Sequence, residues 1–429
     1  MLSNSMHPSH LKIKDFSYHL PEEKIAKFPL PERDASKLLV YENGEIKEGH
    51  YKNISTYLPA QSLMVFNETK VVHARLLFQK NTGGKIEVFC LEPDDRYDNM
   101  EIALQQHEEV YWKCMVGGAA KWKENQVLSL NIQLAPNKTL TVFADRVQRI
   151  DQVFILKITW NITSNTTETT NKELNFAAVL QLAGNLPIPP YLHRAAEASD
   201  EIRYQTIFAK NEGSVAAPTA ALHFTPQLID KIKEKEIDFS FLTLHVGAGT
   251  FKPVKSEEMQ GHDMHAEWIA VSITFIQELL NRVKAKRNVI AVGTTSARTL
   301  ESLYWIGVKM IKKEWIWEHN KHQSPGIEQW YPYENPTEIP AETALSAIIG
   351  YLQNNNKKQL ITNTQIIIAP GYSFRIMNAL ITNFHQPQST LLLLVAALIG
   401  TDWHRVYDYA LAHDFRFLSY GDGCLLWGE

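Results

Sequence analysis

The chain is short of the features that announce several familiar protein classes. Only three cysteines occur in 429 residues, Cys90, Cys114 and Cys424, far apart in sequence and without a C-x-x-C pair, so neither a disulfide framework nor a cysteine zinc site is expected and a reducing cytoplasm suits the chain. Long apolar runs are missing as well. The longest, Leu391 to Ile399, would cover only ~14 Å as a helix, under half of a bilayer core, so no membrane partner is expected. Met1 to His10 lacks the basic-then-apolar pattern of an export signal. Positive charge is not in excess: 43 Lys and Arg face 47 Asp and Glu, a net charge of −4, so a nucleic acid would have to be held by a local basic face. Neither G-x-x-x-x-G-K-[ST] nor H-E-x-x-H occurs, which excludes a P-loop and the helical zinc-protease signature. What is present is ordinary for a globular protein, 45% hydrophobic and 21% charged, in a length that suits two or three domains.

From Thr82 to about Trp160 the pattern is that of a compact all-β unit. Short β-rich runs, Lys85 to Leu91, Thr139 to Ala144 and Gln152 to Trp160, are broken by Gly83-Gly84, Gly117-Gly118 and Pro136-Asn137. Asn161 to Asn171, rich in Thr and Asn, reads as an exposed connection. Beyond Arg203, helices and strands alternate. Thr225-Pro226 opens a helix that leads into the strand Phe239 to Val246, and Phe275 to Lys286 leads into Val289 to Val292. Ile366 to Ile368 and Ala379 to Asn383 read as further strands before Ser389 opens a buried helix. Such alternation predicts a mostly parallel sheet or barrel covered by helices, with ligands at the carboxyl ends of its strands. Residues 305–363, with a helix at Ala341 to Leu352, read as a solvent-exposed insertion. The clusters Arg282 to Arg287 and Lys309 to Lys313 read as wet helix faces.

Five strings carry chemistry. His245-Val246-Gly247-Ala248-Gly249-Thr250 follows a strand but lacks the third glycine of a dinucleotide loop, and a tight turn is its plain alternative. Gly293-Thr294-Thr295-Ser296-Ala297-Arg298 sets three hydroxyls and an arginine at a helix start, where an anion is favoured; ordinary capping accounts for one of the hydroxyls. His262-Asp263-Met264-His265-Ala266-Glu267 offers acid and base groups, against a solvated surface pair. Thr382-Asn383-Phe384-His385 and Pro218-Thr219-Ala220-Ala221-Leu222-His223 place histidines where elements change, although such residues also serve as hydrogen-bonded core.

Together with Pro29 to Ser36, Val65 to Leu76, Leu186 to Tyr191, Arg203 to Thr225 and Arg416 to Asp422, these strings resemble the S-adenosylmethionine:tRNA ribosyltransferase-isomerases of queuosine biosynthesis, in the same order from end to end. The resemblance implies an α/β fold: a large barrel-like domain formed by residues 1–70 and 161–429, with residues 71–160 inserted as a small antiparallel β-barrel. It implies that the ribosyl part of S-adenosylmethionine passes to 7-aminomethyl-7-deazaguanine at the wobble position of tRNA and is isomerised to an epoxycyclopentane, giving epoxyqueuosine, while adenine and methionine leave. S-adenosylmethionine is then a consumed substrate; no cofactor or metal is implied, and the protein is expected to act as a monomer.

Matched to that chemistry, His262, His265 and Glu267 are the candidate bases, and His223 or His245 the donor to departing adenine. Thr294, Thr295, Ser296 and Arg298 would clamp the methionine carboxylate. Gly247, Gly249, Thr250, Asn383 and His385 would line the nucleoside, and Lys70 and Arg75 would touch tRNA. The chain departs from the family pattern at Lys70, His73, Asn185, Ala221, Ala369 and Gln386. Ala221 would be strained if its position required a positive φ. A diverged RNA-binding protein without turnover and a transferase with another acceptor stay open on sequence alone.

Overall fold

The computed structural model describes residues 7–80, 83–151, 153–164, 174–247, 256–316 and 326–428. Among these, a nine-stranded sheet runs in spatial order Gln359–Thr364, Glu267–Ser272, Asp238–His245, Leu63–Asn67, Val289–Val292, Ala379–Asn383, Gly423–Trp427, Lys37–Glu42 and Glu45–His50. The expectation of a mostly parallel sheet is corrected: the sheet is mixed. The central strands, from Asp238–His245 to Ala379–Asn383, run parallel. Glu267–Ser272 and Gly423–Trp427 flank them antiparallel. Strand direction on the flanks depends on distant pairing, which alternation along the chain does not encode.

Local signals place several elements closely. Leu228 N–H donates to Thr225 Oγ1 at 3.2 Å, capping the Pro226–Lys233 helix. Ser389 caps Thr390–Ile399 in the same way. Ile366 to Ile368, expected as a strand, forms none. This buried run pairs with no strand, because its polar groups are taken by other partners: Ile366 O accepts from Arg298 Nε, Ile367 O from the Tyr333 hydroxyl, and Ile367 N–H donates to Gln329 O.

A second, six-stranded sheet is wholly antiparallel, in the order Arg75–Gln79, Lys85–Pro93, Glu109–Gly117, Val153–Ser164, Lys138–Ile150 and Leu128–Ala135. Its two edge strands lie against one another. The Phe176–Ala183 helix packs into its apolar core beside Trp112 and Trp160. Residues 161–164, expected in an exposed connection, instead continue a strand; 165–173 lie outside the described residues. Cys90 and Cys114, remote in sequence, are cross-strand partners here, both buried and unbridged.

The stretch from 305 to 363 is not a solvent-exposed insertion. Its first turns belong to the Thr294–Ile311 helix, buried along most of its length, and Ala344, Leu345, Ile348 and Leu352 of the Ala341–Asn354 helix join the main core. The two helices meet so closely at Gly307 that a Cβ there would stand 2.1 Å from the Ala344 carbonyl oxygen. Lys309 is likewise buried rather than wet: its ammonium bonds the Gly326 carbonyl at 2.9 Å and lies over the Tyr331 ring. Residues 317–325 are outside the described set.

Candidate active site

One edge of the large sheet gathers the chemistry. The parallel strands end there at Asn67, His245, Val292 and Asn383. The antiparallel flanking strands begin there, which brings in the segments before Glu267 and Gly423. At this edge lies a cavity of about 610 Å³, lined by Val246 and Gly247, His262 to His265 and Glu267, Gly293 to Thr295 and Arg298, Thr382 to Gln386, and Pro218 to Ala220. Met115 of the six-stranded sheet also reaches it. Its volume suits a nucleoside-sized ligand.

Arg298 and Glu267 form a buried ion pair on the cavity wall. Arg298 Nε donates to Ile366 O at 3.1 Å, Nη1 to the Glu267 carboxylate, and Nη2 is buried with no protein partner. The guanidinium is thus fixed on one side and has an unsatisfied donor, an arrangement suited to a carboxylate ligand. Glu267, expected as a possible base, is held in this pair instead. One of its two carboxylate oxygens is taken by the Arg298 guanidinium.

The Thr294–Ile311 helix starts beside Arg298. Its N-cap is Gly293, at φ 90° and without a capping side chain. No hydroxyl therefore closes the helix start, and the unpaired N–H groups of the first turn lie at the cavity. Thr294 and Thr295 line it, and Thr295 Oγ1 accepts from Asn67 Nδ2 at 3.3 Å. Ser296 does not: its hydroxyl is buried and donates to Val292 O at 2.9 Å.

His262 and His265 both line the cavity. Burial and the neighbouring His265 hold the His262 imidazole below its ordinary value, while Asp263 opposes them. His385 lines the cavity too. Its Nε2 meets Thr382 Oγ1 at 2.9 Å, and burial pushes its imidazole down to about 3.

His223 and His245, expected as donors to a leaving base, are not among the residues that line the cavity. His223 is stacked on Tyr51 at 4.1 Å, with Nδ1 3.4 Å from Arg33 O and Nε2 3.3 Å from Asn383 Nδ2. Burial pushes it down to about 3, so at neutral pH it is a neutral imidazole with a single N–H rather than a cation. His245 packs against Gly213, where a Cβ would stand 2.9 Å from the ring, and its Nδ1 meets Thr69 Oγ1 at 3.0 Å. Gly247 is on the lining; Gly249 and Thr250 lie outside the described residues.

Three departures from the family pattern, Lys70, His73 and Ala221, are accommodated locally. Lys70 pairs with Glu212 at 2.8 Å and His73 with Glu201 at 2.7 Å. Arg75 sits 3.3 Å from Glu87 and over Phe89. Ala221 has no positive φ, and its N–H donates to Pro218 O at 2.9 Å. The anticipated strain is absent.

Among the described residues, no group of three or more His, Cys, Asp and Glu side chains is assembled to hold a metal ion, and no helix is long and apolar enough to cross a membrane. A family profile described as "Queuosine biosynthesis protein" matches residues 13–426. The chain belongs to this family. An S-adenosylmethionine:tRNA ribosyltransferase-isomerase from Pelobacter propionicus is 34% identical over 417 residues, 96% of this chain and 99% of that protein. One of the same name from Halothermothrix orenii is 35% identical over 422 residues, 97% of this chain and 100% of that protein. A crystal structure of S-adenosylmethionine tRNA ribosyltransferase from Thermotoga maritima is 25% identical and covers 96% of this chain and 99% of that one, with a TM-score of 0.45.

Within this family, sequence reasoning gave no individual role to several residues on the cavity lining or, like Asn67, hydrogen-bonded to it. Thr219 Oγ1 donates to Asn383 Oδ1 at 2.7 Å. Asn67 ties together three chain segments: Oδ1 accepts the Leu244 and Thr69 N–H groups, each at 3.1 Å, and Nδ2 reaches Leu244 O as well as Thr295. Tyr191 shares a 2.5 Å hydrogen bond with Ser419, and both line the cavity. The sequence sign of Asn67 was its place in the Val65 to Leu76 stretch that carries the family resemblance.

Proposed function

We propose that this cavity transfers and isomerises the ribosyl part of S-adenosylmethionine onto 7-aminomethyl-7-deazaguanine in tRNA, giving epoxyqueuosine and releasing adenine and methionine. Full-length kinship to proteins of that name supports the reading, and one observation at the site carries it: Arg298, buried with an unsatisfied donor beside an uncapped helix start, offers the methionine carboxylate a clamp. The sulfonium acidifies the adjacent 5′ hydrogens, and His262, held neutral by its surroundings, takes the proton that begins the elimination. Adenine leaves, the acceptor amine is alkylated, and methionine follows.

We read the six-stranded sheet as the small β-barrel, and S-adenosylmethionine as a substrate rather than a cofactor. tRNA is held through its phosphates, so its binding weakens with salt. Lys70 and Arg75 can contribute only by exchanging Glu212 and Glu87 for phosphate. The unbridged thiols suit the cytoplasm.

Incubation of the purified chain with S-adenosylmethionine, with and without tRNA carrying the deazaguanine amine, tests the assignment. Adenine and methionine are expected only when both substrates are present. A folded protein that releases neither refutes it.

A further inference from the structure

The hydrogen bonds around Asn383 have a fixed sense. At one end stands the Asp422 main-chain carbonyl, 3.4 Å from Asn383 Nδ2, and at the other the Arg33 carbonyl, 3.4 Å from His223 Nδ1. A carbonyl oxygen can only accept. Asp422 O therefore turns the Asn383 amide so that its NH₂ faces Asp422 and His223, and Arg33 O requires the proton of His223 to sit on Nδ1. His223 Nε2 is then left with a lone pair, which accepts the second Asn383 N–H at 3.3 Å. Both amide protons are used. Asn383 Oδ1 consequently points the other way, and the Thr219 hydroxyl spends its single proton on it at 2.7 Å.

What faces the cavity from this pair is lone pairs and no donor. Thr219 and Asn383 both line the cavity, and Asn383 is 3% exposed. The neutral state of His223 keeps the sense of the network intact, since an imidazolium would put a donor against the Asn383 NH₂.

We infer that Thr219 and Asn383 form an acceptor-only subsite, with His223 as its positioning residue, that receives the α-ammonium of the amino-acid end of the sulfonium substrate. An ammonium has donors and no acceptor, so it is the group such a wall selects; a ribose hydroxyl can satisfy walls of either sense. Position supports the same choice. Ala220, next to Thr219, lies against the uncapped helix start, with its Cβ 3.8 Å from where a Gly293 Cβ would stand. The acceptor wall therefore adjoins the anion pocket of Gly293 and Arg298, as the ammonium and carboxylate of an amino acid adjoin each other on one carbon.

This inference rests on the S-adenosylmethionine reading, and the test separates the two. Equilibrium binding to the full chain is measured for S-adenosylmethionine and for its analogue with hydrogen in place of the α-amino group. Thr219→Val should weaken S-adenosylmethionine roughly ten- to a hundredfold, as expected for a lost hydrogen bond to a charged group, and leave the analogue unchanged. Thr219→Ser should restore binding. His223→Phe, which can keep the stack on Tyr51, should shift binding of S-adenosylmethionine and not of the analogue. Asp263→Asn, the nearby carboxylate on the lining, should weaken both ligands equally or neither. Equal losses for both ligands in Thr219→Val, no loss at all, or selective loss in Asp263→Asn instead would overturn the subsite while leaving the S-adenosylmethionine reading in place. A folded wild-type chain that binds neither ligand would overturn the reading itself, and the subsite with it.

Discussion

Glu267 lies at the first position of its strand and Arg298 in the second turn of the helix after Val289–Val292, and the mixed sheet brings them into one buried ion pair at the cavity. The pair orients the guanidinium, whose Nη2 is buried without a protein partner. Removing one member leaves the other buried and uncompensated, at a cost of about 3–5 kcal/mol. Glu267→Gln should therefore lower the unfolding free energy by several kcal/mol in urea and raise the KM for S-adenosylmethionine at least about tenfold. Unchanged values of both would mean that the pair is incidental.

The pH profile should show a base with a lowered pKa. Burial and His265 shift His262 downward from 6.5, and a general base works only when unprotonated. The value of kcat/KM should rise with pH along a limb whose midpoint lies below 6.5, and that limb should vanish in His262→Ala. The same limb persisting in the variant would move the base to His265.

Acid stability is governed elsewhere. His223 and His385 are buried and both pushed down to about 3, from 6.5. Above about pH 6.5 both states of the chain hold these rings neutral, so they contribute no pH dependence there. Between 6.5 and about 3 the unfolded chain binds protons that the folded one refuses, so stability falls with falling pH, by on the order of a few kcal/mol for the two rings by pH 4. Denaturant titrations from pH 7 to 4 should show the loss, and His385→Gln should make it shallower. A flat profile would contradict the burial of these rings.

Gly307 marks the closest approach of the Thr294–Ile311 and Ala341–Asn354 helices, and a methyl there would run into the Ala344 backbone. Gly307→Ala should destabilise the fold by about 1–3 kcal/mol or more, despite alanine's better helix propensity. A stabilised variant in urea would show the contact to be looser than described.

Much of the site's address was legible from local signals. The apolar strand at Val289–Val292, the turn after it and the hydroxyl-rich helix start are all consecutive in sequence, and parallel βα units direct their ligands to that edge. What was not legible depends on partners far along the chain. Nothing near Glu267 announces that Arg298 will claim its carboxylate. His223 looked like a catalyst because the sequence shows an imidazole but not the Tyr51 ring stacked on it. Residues 305–363 looked exposed because their charges are mixed. Yet Lys309 is buried by carbonyl and aromatic contacts, and Gly307 allows the helices to touch. The Ile366 to Ile368 run was misread for a related reason: apolar side chains signal burial, but whether the backbone pairs with a strand or with Arg298, Gln329 and Tyr333 is decided by tertiary structure.

The most direct test of the central claim follows the ribose. S-adenosylmethionine labelled in its ribose carbons is incubated with the purified chain and tRNA bearing the deazaguanine amine, and the wobble nucleoside is analysed by mass spectrometry. The account predicts that every labelled carbon appears in that nucleoside, with adenine and methionine released in equal amounts. Bound S-adenosylmethionine with no label in the tRNA would contradict it.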